Sequence, residues 1–163
     1  MKQEFNGGYF DGEVKDNGDF EGKIVYTNGD EYEGKLIGGE FSGKVKKIYS
    51  YGTYIGEWKA GEKNGYGKFT WSDGEEYEGE WLDGVMHGVG TFTWANGNVY
   101  KGEWKRGVID GSGKMTWKSG EYYDGEWKEG VRHGRGLYRN PNGNLFEETW
   151  ENDVRQTYMR INN

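Results

Sequence analysis

No cysteine and only one proline occur among the 163 residues, and histidine appears twice. Without cysteine there is no disulfide framework, no thiolate nucleophile and no thiolate metal site. Hydrophobic residues make up 33% of the chain, too few aliphatics for a thick sandwich core. No run approaches the roughly 18 apolar residues of a membrane-spanning helix. The opening "MKQEFNGGYF" has no apolar stretch of the signal-peptide kind, so the expectation is a soluble, cytoplasmic chain. A basic excess is missing as well. The net charge is −7, with acids and bases mixed along both halves, which argues against nucleic acid as a partner.

What is present is glycine and aromatics: 31 Gly, 13 Tyr, 8 Trp and 7 Phe. The glycine share is well over twice the usual level of about 7%. Disordered chains are poor in aromatics, whereas here the rings recur at fixed intervals. The phrase Tyr-x-Gly-Glu-Trp starts at Tyr54, Tyr77, Tyr100 and Tyr123, each 23 residues after the last. A copy at Phe146 keeps the register but has Glu148 for the glycine, and weaker copies begin at Tyr32 and Phe10, at spacings of 22. A second phrase interleaves as "NGYGKFTW", "HGVGTFTW" and "DGSGKMTW", with a weaker "HGRGLY".

Both phrases alternate with period two, the pattern of a strand. Tyr54, Gly56 and Trp58 share one face, as do Gly65, Gly67, Phe69 and Trp71; Glu57, Lys68 and Thr70 lie opposite. Glycine weakens a strand interior, so a regular column of it needs a reason. An aromatic ring lying over bare backbone on the neighbouring strand supplies one. Between the phrases, "TNGD", "SDGE" and "ANGN" carry the Asn-Gly or Asp-Gly signal of tight hairpins, while "KAGEKNG" reads as a longer connection containing Gly61. Every connection is too short for a parallel crossover. The expected fold is therefore all-β: an elongated, single-layer antiparallel meander of hairpins, one repeat array over residues 1–163. Each repeat advances the sheet by about 10 Å and touches only its neighbours.

The form Y-x-G-x-W-x-x-G-x-x-H-G-x-G resembles the MORN repeat (membrane occupation and recognition nexus). The match is near-complete from Tyr77 to Gly90 and from Tyr123 to Gly136; Asn64 and Asp110 replace His in the copies at Tyr54 and Tyr100. The copies at Phe10 and Tyr32 carry Val14 and Leu36 where Trp is expected and lack His-Gly. The resemblance implies a protein-interaction scaffold, a dimerisation module or a cytoskeletal or ciliary component. Phosphoinositide binding has been proposed for similar proteins. Lipid kinase or methyltransferase activity accompanies some such arrays through a second domain, and no catalytic module carries over to this chain.

Candidate sites follow from the columns. His87 and His133 share a column with Asn64 and Asp110, residue types that tolerate left-handed backbone, so the column reads as turn geometry. The two histidines stand two repeats apart, too far to share a metal ion with ligand distances of about 2 Å, and no cofactor is expected. Glu57, Glu80, Glu103 and Glu126 form a row on the polar face that cross-strand pairing, with Lys68, Thr91 and Lys114 available between them, and a solvated face together explain. Lys44, Lys46 and Lys47 form one small basic cluster, Arg132 and Arg135 another; the three lysines are the candidate for an anionic membrane surface. No Gly-Lys-Ser/Thr follows any glycine loop, so no P-loop is present.

The aromatic stripe is the leading binding candidate: Tyr54, Trp58, Tyr77, Trp81, Tyr100, Trp104, Tyr123 and Trp127, with Trp71, Trp94 and Trp117. Tyr and Trp make good interface anchors, and a groove of them suits an extended peptide or amphipathic helix. At residues 150–163, Asn152 followed by Val154, Tyr158 and Ile161 predicts a short capping helix. The N-terminal copies, with Val14, Ile24 and Leu36, form the other cap or a more aliphatic surface for self-association. The functional expectation is a non-enzymatic scaffold that binds a protein along the groove or by its ends. The alternative is a peripheral adaptor for anionic phospholipids.

Overall fold

The computed structural model describes residues 2–161. Its elements are β1 (Lys2–Phe5), β2 (Gly8–Val14), β3 (Phe20–Tyr26), β4 (Glu31–Ile37), β5 (Glu40–Tyr49), β6 (Gly52–Lys59), β7 (Glu62–Trp71), β8 (Glu76–Leu82), β9 (Val85–Thr93), β10 (Val99–Lys105), β11 (Val108–Thr116), β12 (Tyr122–Lys128), β13 (Val131–Arg139), β14 (Leu145–Glu151) and β15 (Val154–Arg160). The fifteen strands are hydrogen-bonded in sequence order, and the described residues contain no helix. The antiparallel meander expected from the short connections is the fold. The chain divides into two compact units: Met1–Ser72 with Glu80–Val85, and Asp73–Gly79 with Met86–Asn163.

In the first unit, Gly12, Gly22, Gly34 and Gly43 oppose one another in turn across β2 to β5. Phe20, Leu36 and Phe41 flank this column on one side, and Ile24, Tyr32 and Val45 on the other. Farther along the sheet, Gly56 faces Gly67 and Tyr54 faces Phe69. In the second unit the column runs Gly90, Gly102, Gly113, Gly125 and Gly136 and ends on Glu148.

The rings occupy the space these glycines leave. A Cβ added at Gly67, Gly90, Gly113 or Gly136 would overlap the Tyr54, Tyr77, Tyr100 or Tyr123 ring respectively. All four tyrosines are 0% exposed. A fully buried ring of this size contributes about 2–3 kcal/mol by area alone, so in a chain this poor in aliphatics the four tyrosines are the main core residues.

Two turn assignments reverse. The Asn-Gly and Asp-Gly segments are three-residue loops: Tyr26 N–H donates to the Asp30 carbonyl and Gly29 N–H to the Tyr26 carbonyl. Only the glycine there has positive φ, 91° at Gly29, which is a type I turn closed by a left-handed residue. The tight two-residue turns lie in the connection read as longer. Lys59 pairs directly with Glu62 around Ala60-Gly61, whose φ values are 48° and 80°, and the same holds for Arg106-Gly107 and Glu129-Gly130. Positive φ at both central residues is the type I′ signature, whose twist matches the strands. Alanine, arginine and glutamate occupy its first position at a steric cost, which is why the sequence did not announce it.

The expected capping helix at residues 150–163 is a strand over its described part. Asn152 and Asp153 have φ of 49° and 63°, Glu151 pairs with Val154, and β15 runs back along β14. The spacing of Val154 and Tyr158 satisfies period two as well as a helical turn. The unpaired edge of β14 selected the strand, because its N–H and C=O groups need partners.

Candidate functional site

Each full repeat contributes a tyrosine at the floor of the aromatic face and a tryptophan beside it. Gly67, Gly90 and Gly113 leave their carbonyls open. The Trp81, Trp104 and Trp127 indole N–H groups donate to them at 3.0, 3.2 and 3.0 Å. Tyr54 meets Trp81 edge-to-face at 5.5 Å, Tyr77 meets Trp104 at 5.4 Å, and Tyr100 meets Trp127 at 5.6 Å, the geometry that ring quadrupoles favour. These tryptophans are buried, whereas Trp58, Trp71, Trp94 and Trp117 are half-buried. Of the eleven stripe residues, these four present the most indole surface; the tyrosines hold the floor and present none.

Beyond each tyrosine the ladder bulges. Gly56 pairs with Gly67 and Trp58 with Lys63, so Glu57 alone opposes Asn64, Gly65 and Tyr66. The same irregularity recurs at Glu103 and Glu126. The Tyr54, Tyr100 and Tyr123 hydroxyls donate to the carbonyls of these glutamates at 2.7, 3.2 and 3.4 Å. The carboxylates accept the bulge N–H groups of Tyr66, Ser112 and Arg135. This corrects the row of glutamates: Glu57, Glu103 and Glu126 serve the backbone of the bulge, not cross-strand lysines. The N-terminal copies have no bulge between β4 and β5, which is why they need no His-Gly segment. Burial pushes the Tyr123 hydroxyl up to about 12, helped by Glu148. Burial likewise raises Tyr54 and Tyr100, with Glu57 and Glu103 adding to it.

The histidine column is also reassigned. Asn64, His87, Asp110 and His133 lie inside strands and have no positive φ; the glycine after each carries it. The Asn64, Asp110 and His133 side chains reach the tight turn of the following hairpin, whereas His87 Nδ1 is buried with no hydrogen-bond partner among the described residues. Asp110 Oδ2 accepts from Glu129 N–H at 3.1 Å, Asn64 donates to Asp83 at 3.2 Å, and His133 Nδ1 stands 3.5 Å from Asn152 N. Ser42 in the weaker copy does the same for Ala60 N–H at 3.2 Å.

The three lysines do not form one cluster. Lys47 faces Tyr54 on the aromatic side, while Lys44 and Lys46 pair with Glu57 and Ile55 on the opposite side. A hollow of about 330 Å³ there is lined by Lys23, Lys44 and Lys46 and equally by Glu31, Glu33 and Glu57, so it holds no net positive charge. Lys47 is bound to Asp30 at 2.9 Å and to Tyr32 at 3.1 Å. Burial pulls the Lys47 ammonium down, but these bonds outweigh it and hold it above its ordinary range. Asp30 is 4% exposed. Burial pushes its carboxyl up, yet the Ile48 N–H at 2.7 Å and Lys47 hold it below the ordinary value.

The aromatic side also holds three cations: sequence reasoning placed Arg132 in a basic cluster with Arg135 and missed Lys63 and Arg155. Lys63 Nζ lies 4.4 Å from the Trp81 ring centroid, Arg132 3.5 Å from Trp150, and Arg155 4.2 Å from Tyr158. The signal was available for Lys63: counting back in twos from Phe69 through Gly67 and Gly65 reaches it. The bulge adds an even number of residues and keeps the parity.

Tandem hairpins and a glycine column roofed by tyrosines define the molecule as a β-repeat protein. The MORN repeat matches residues 54–76, 77–99, 100–122 and 123–145, and the chain belongs to the MORN repeat family. MORN repeats are in general non-enzymatic and serve in protein or membrane interaction. Comparison of the chain with curated proteins gives no match.

Proposed function

We propose that the protein is a non-enzymatic scaffold that holds a protein segment, an extended peptide or amphipathic helix, against its aromatic face. The observation that carries this reading is the set of half-buried indoles Trp58, Trp71, Trp94 and Trp117 beside fully buried tyrosines. Large rigid rings held in place lose little entropy on contact and anchor interfaces well. The test is a peptide-display selection on the intact chain, followed by binding of the selected peptides to Trp94→Ala and Trp117→Ala. Weakened binding at an unchanged denaturation midpoint supports the reading; equal binding to both folded variants removes it.

The outer edge of β15, with Val154, Tyr158 and Met159 exposed at 61%, 45% and 64%, favours a second route: self-association through a strand end. Light scattering across a concentration series tests it, and a monomer at every concentration rejects it. We extend the proposal to a cytoplasmic role in a cytoskeletal or ciliary assembly. This extension rests on the family resemblance and is tested by the location of a tagged copy in cells.

A further inference from the structure

Charge is nearly absent from the aromatic side of the first unit. Asp30 and Lys47 neutralise each other there at 2.9 Å. Lys63 is the exception. It sits opposite Trp58 on β7, and its ammonium is ringed by Trp81 at 4.4 Å, Phe69 at 4.8 Å, Tyr54 at 5.7 Å and Tyr49 at 5.9 Å. The related cations both have acids: Arg132 binds Asp153 at 2.7 Å, and Arg155 binds Glu148 at 3.2 Å. No carboxylate pairs with Lys63 among the described residues. The rings satisfy the ammonium in part through their quadrupoles, and burial lowers its proton affinity.

Repeat position shows that the charge is not needed for packing. Met86 and Ile109 occupy the same place, 23 and 46 residues on, and Ile109 is buried. An apolar residue fits the column, so a lysine here serves something other than the local core. Covering this face strips water from the ammonium, and an uncharged partner would leave it buried without a counter-charge, which opposes binding. A carboxylate set among apolar groups reverses the sign of that effect.

We infer that Lys63 selects the partner: the segment held on the first unit's aromatic face carries an aspartate or glutamate, flanked by apolar side chains, that pairs with the Lys63 ammonium. This inference rests on the scaffold reading above. A protein segment is favoured over an anionic membrane because surface attraction to lipid needs several clustered cations, and the aromatic face of this unit has one unpaired.

The test uses the full chain and peptides taken from a display library of amphipathic sequences. Binders are grouped by competition: those that lose affinity for Trp58→Ala are directed to this face. The expected result is that these binders contain a recurrent acid, and that its change to the amide weakens binding about tenfold. Lys63→Met, which reproduces the side chain at Met86, is expected to bind the acid and amide peptides alike, and Lys63→Glu to prefer the amide. Face-directed binders that show no acid preference, or a Lys63→Met protein that still discriminates as the parent does, overturn the inference while leaving the scaffold reading in place. A selection that yields no face-directed binder overturns both. Flotation on phosphatidylserine vesicles that Lys63→Met abolishes overturns the peptide assignment in favour of a lipid headgroup.

Discussion

The Trp104 indole nitrogen donates to the Gly90 carbonyl oxygen at 3.2 Å, reaching a residue fourteen positions earlier in the chain. The contact joins adjacent strands and exists because Gly90 has no side chain over which the indole would have to climb. Above the same glycine lies the Tyr77 ring. One missing Cβ therefore serves two aromatics, and the repeat motif ties these residue types together for that reason.

A methyl group in the column is expected to cost far more than one in a turn. Gly113→Ala places Cβ inside the Tyr100 ring, so the ring must leave its site; overpacking of this kind costs about 3 kcal/mol. Gly120→Ala, at φ 89° with open space around it, is expected to cost about 1–2 kcal/mol of backbone strain. Urea denaturation of the two variants decides the matter: comparable losses would mean that the ring yields readily.

Alkali is expected to weaken the fold through its buried tyrosines, Tyr123 among them. Tyr123 is pushed up to about 12 by burial, against about 10 in an unfolded chain. The folded state then holds a proton that the unfolded state has released. The contribution is complete below about pH 10 and declines as pH rises towards 12. Urea midpoints measured from pH 9 to pH 11.5 are expected to fall more steeply for the parent than for Tyr123→Phe, which has no proton to lose. Parallel slopes would contradict this.

Acid acts on the first unit through Asp30. Its folded value lies below the ordinary carboxyl value, so its stabilisation is present above about pH 4 and is lost as pH falls through the lower folded value. Asp30→Asn is expected to be less stable at neutral pH, since an amide gives Lys47 no counter-charge, and to lack that portion of the acid dependence. Denaturant midpoints between pH 2 and pH 6 check both statements.

Asp110→Ala removes the acceptor for the Glu129 N–H. The expected loss is small, about 0.5–1 kcal/mol for one exposed hydrogen bond. Its location is specific: amide exchange should quicken at Glu129 and Gly130 in the next hairpin, with little change at Asp110's own turn. Faster exchange confined to residues 106–107 would reassign the column to its own turn.

The strands, their antiparallel order and the ring-over-glycine packing were legible because each rests on strict alternation: Tyr54, Gly56 and Trp58 declare their face without help. The turns were not. Ala60-Gly61 and Arg106-Gly107 adopt type I′ geometry although neither alanine nor arginine prefers it, because strand twist on both sides imposes it. Glu57 and His133 were misread for a related reason. Their partners lie across a bulge or in the neighbouring hairpin, and a single repeat read alone contains neither. Lys63 was hidden only because the alternation was not followed two residues farther back.

From Ala60-Gly61 onward the tight turns also donate backwards. Gly61 N–H bonds to the Phe41 carbonyl, Gly84 to Lys63, Gly107 to Met86, Gly130 to Ile109 and Asp153 N–H to Arg132. The latch always runs from a later hairpin to an earlier one. A chain leaving the ribosome thus meets a ready-made acceptor with every new turn, and the array has a grain: trimming from the carboxyl end leaves a tidy remainder, while trimming from the amino end strands a donor.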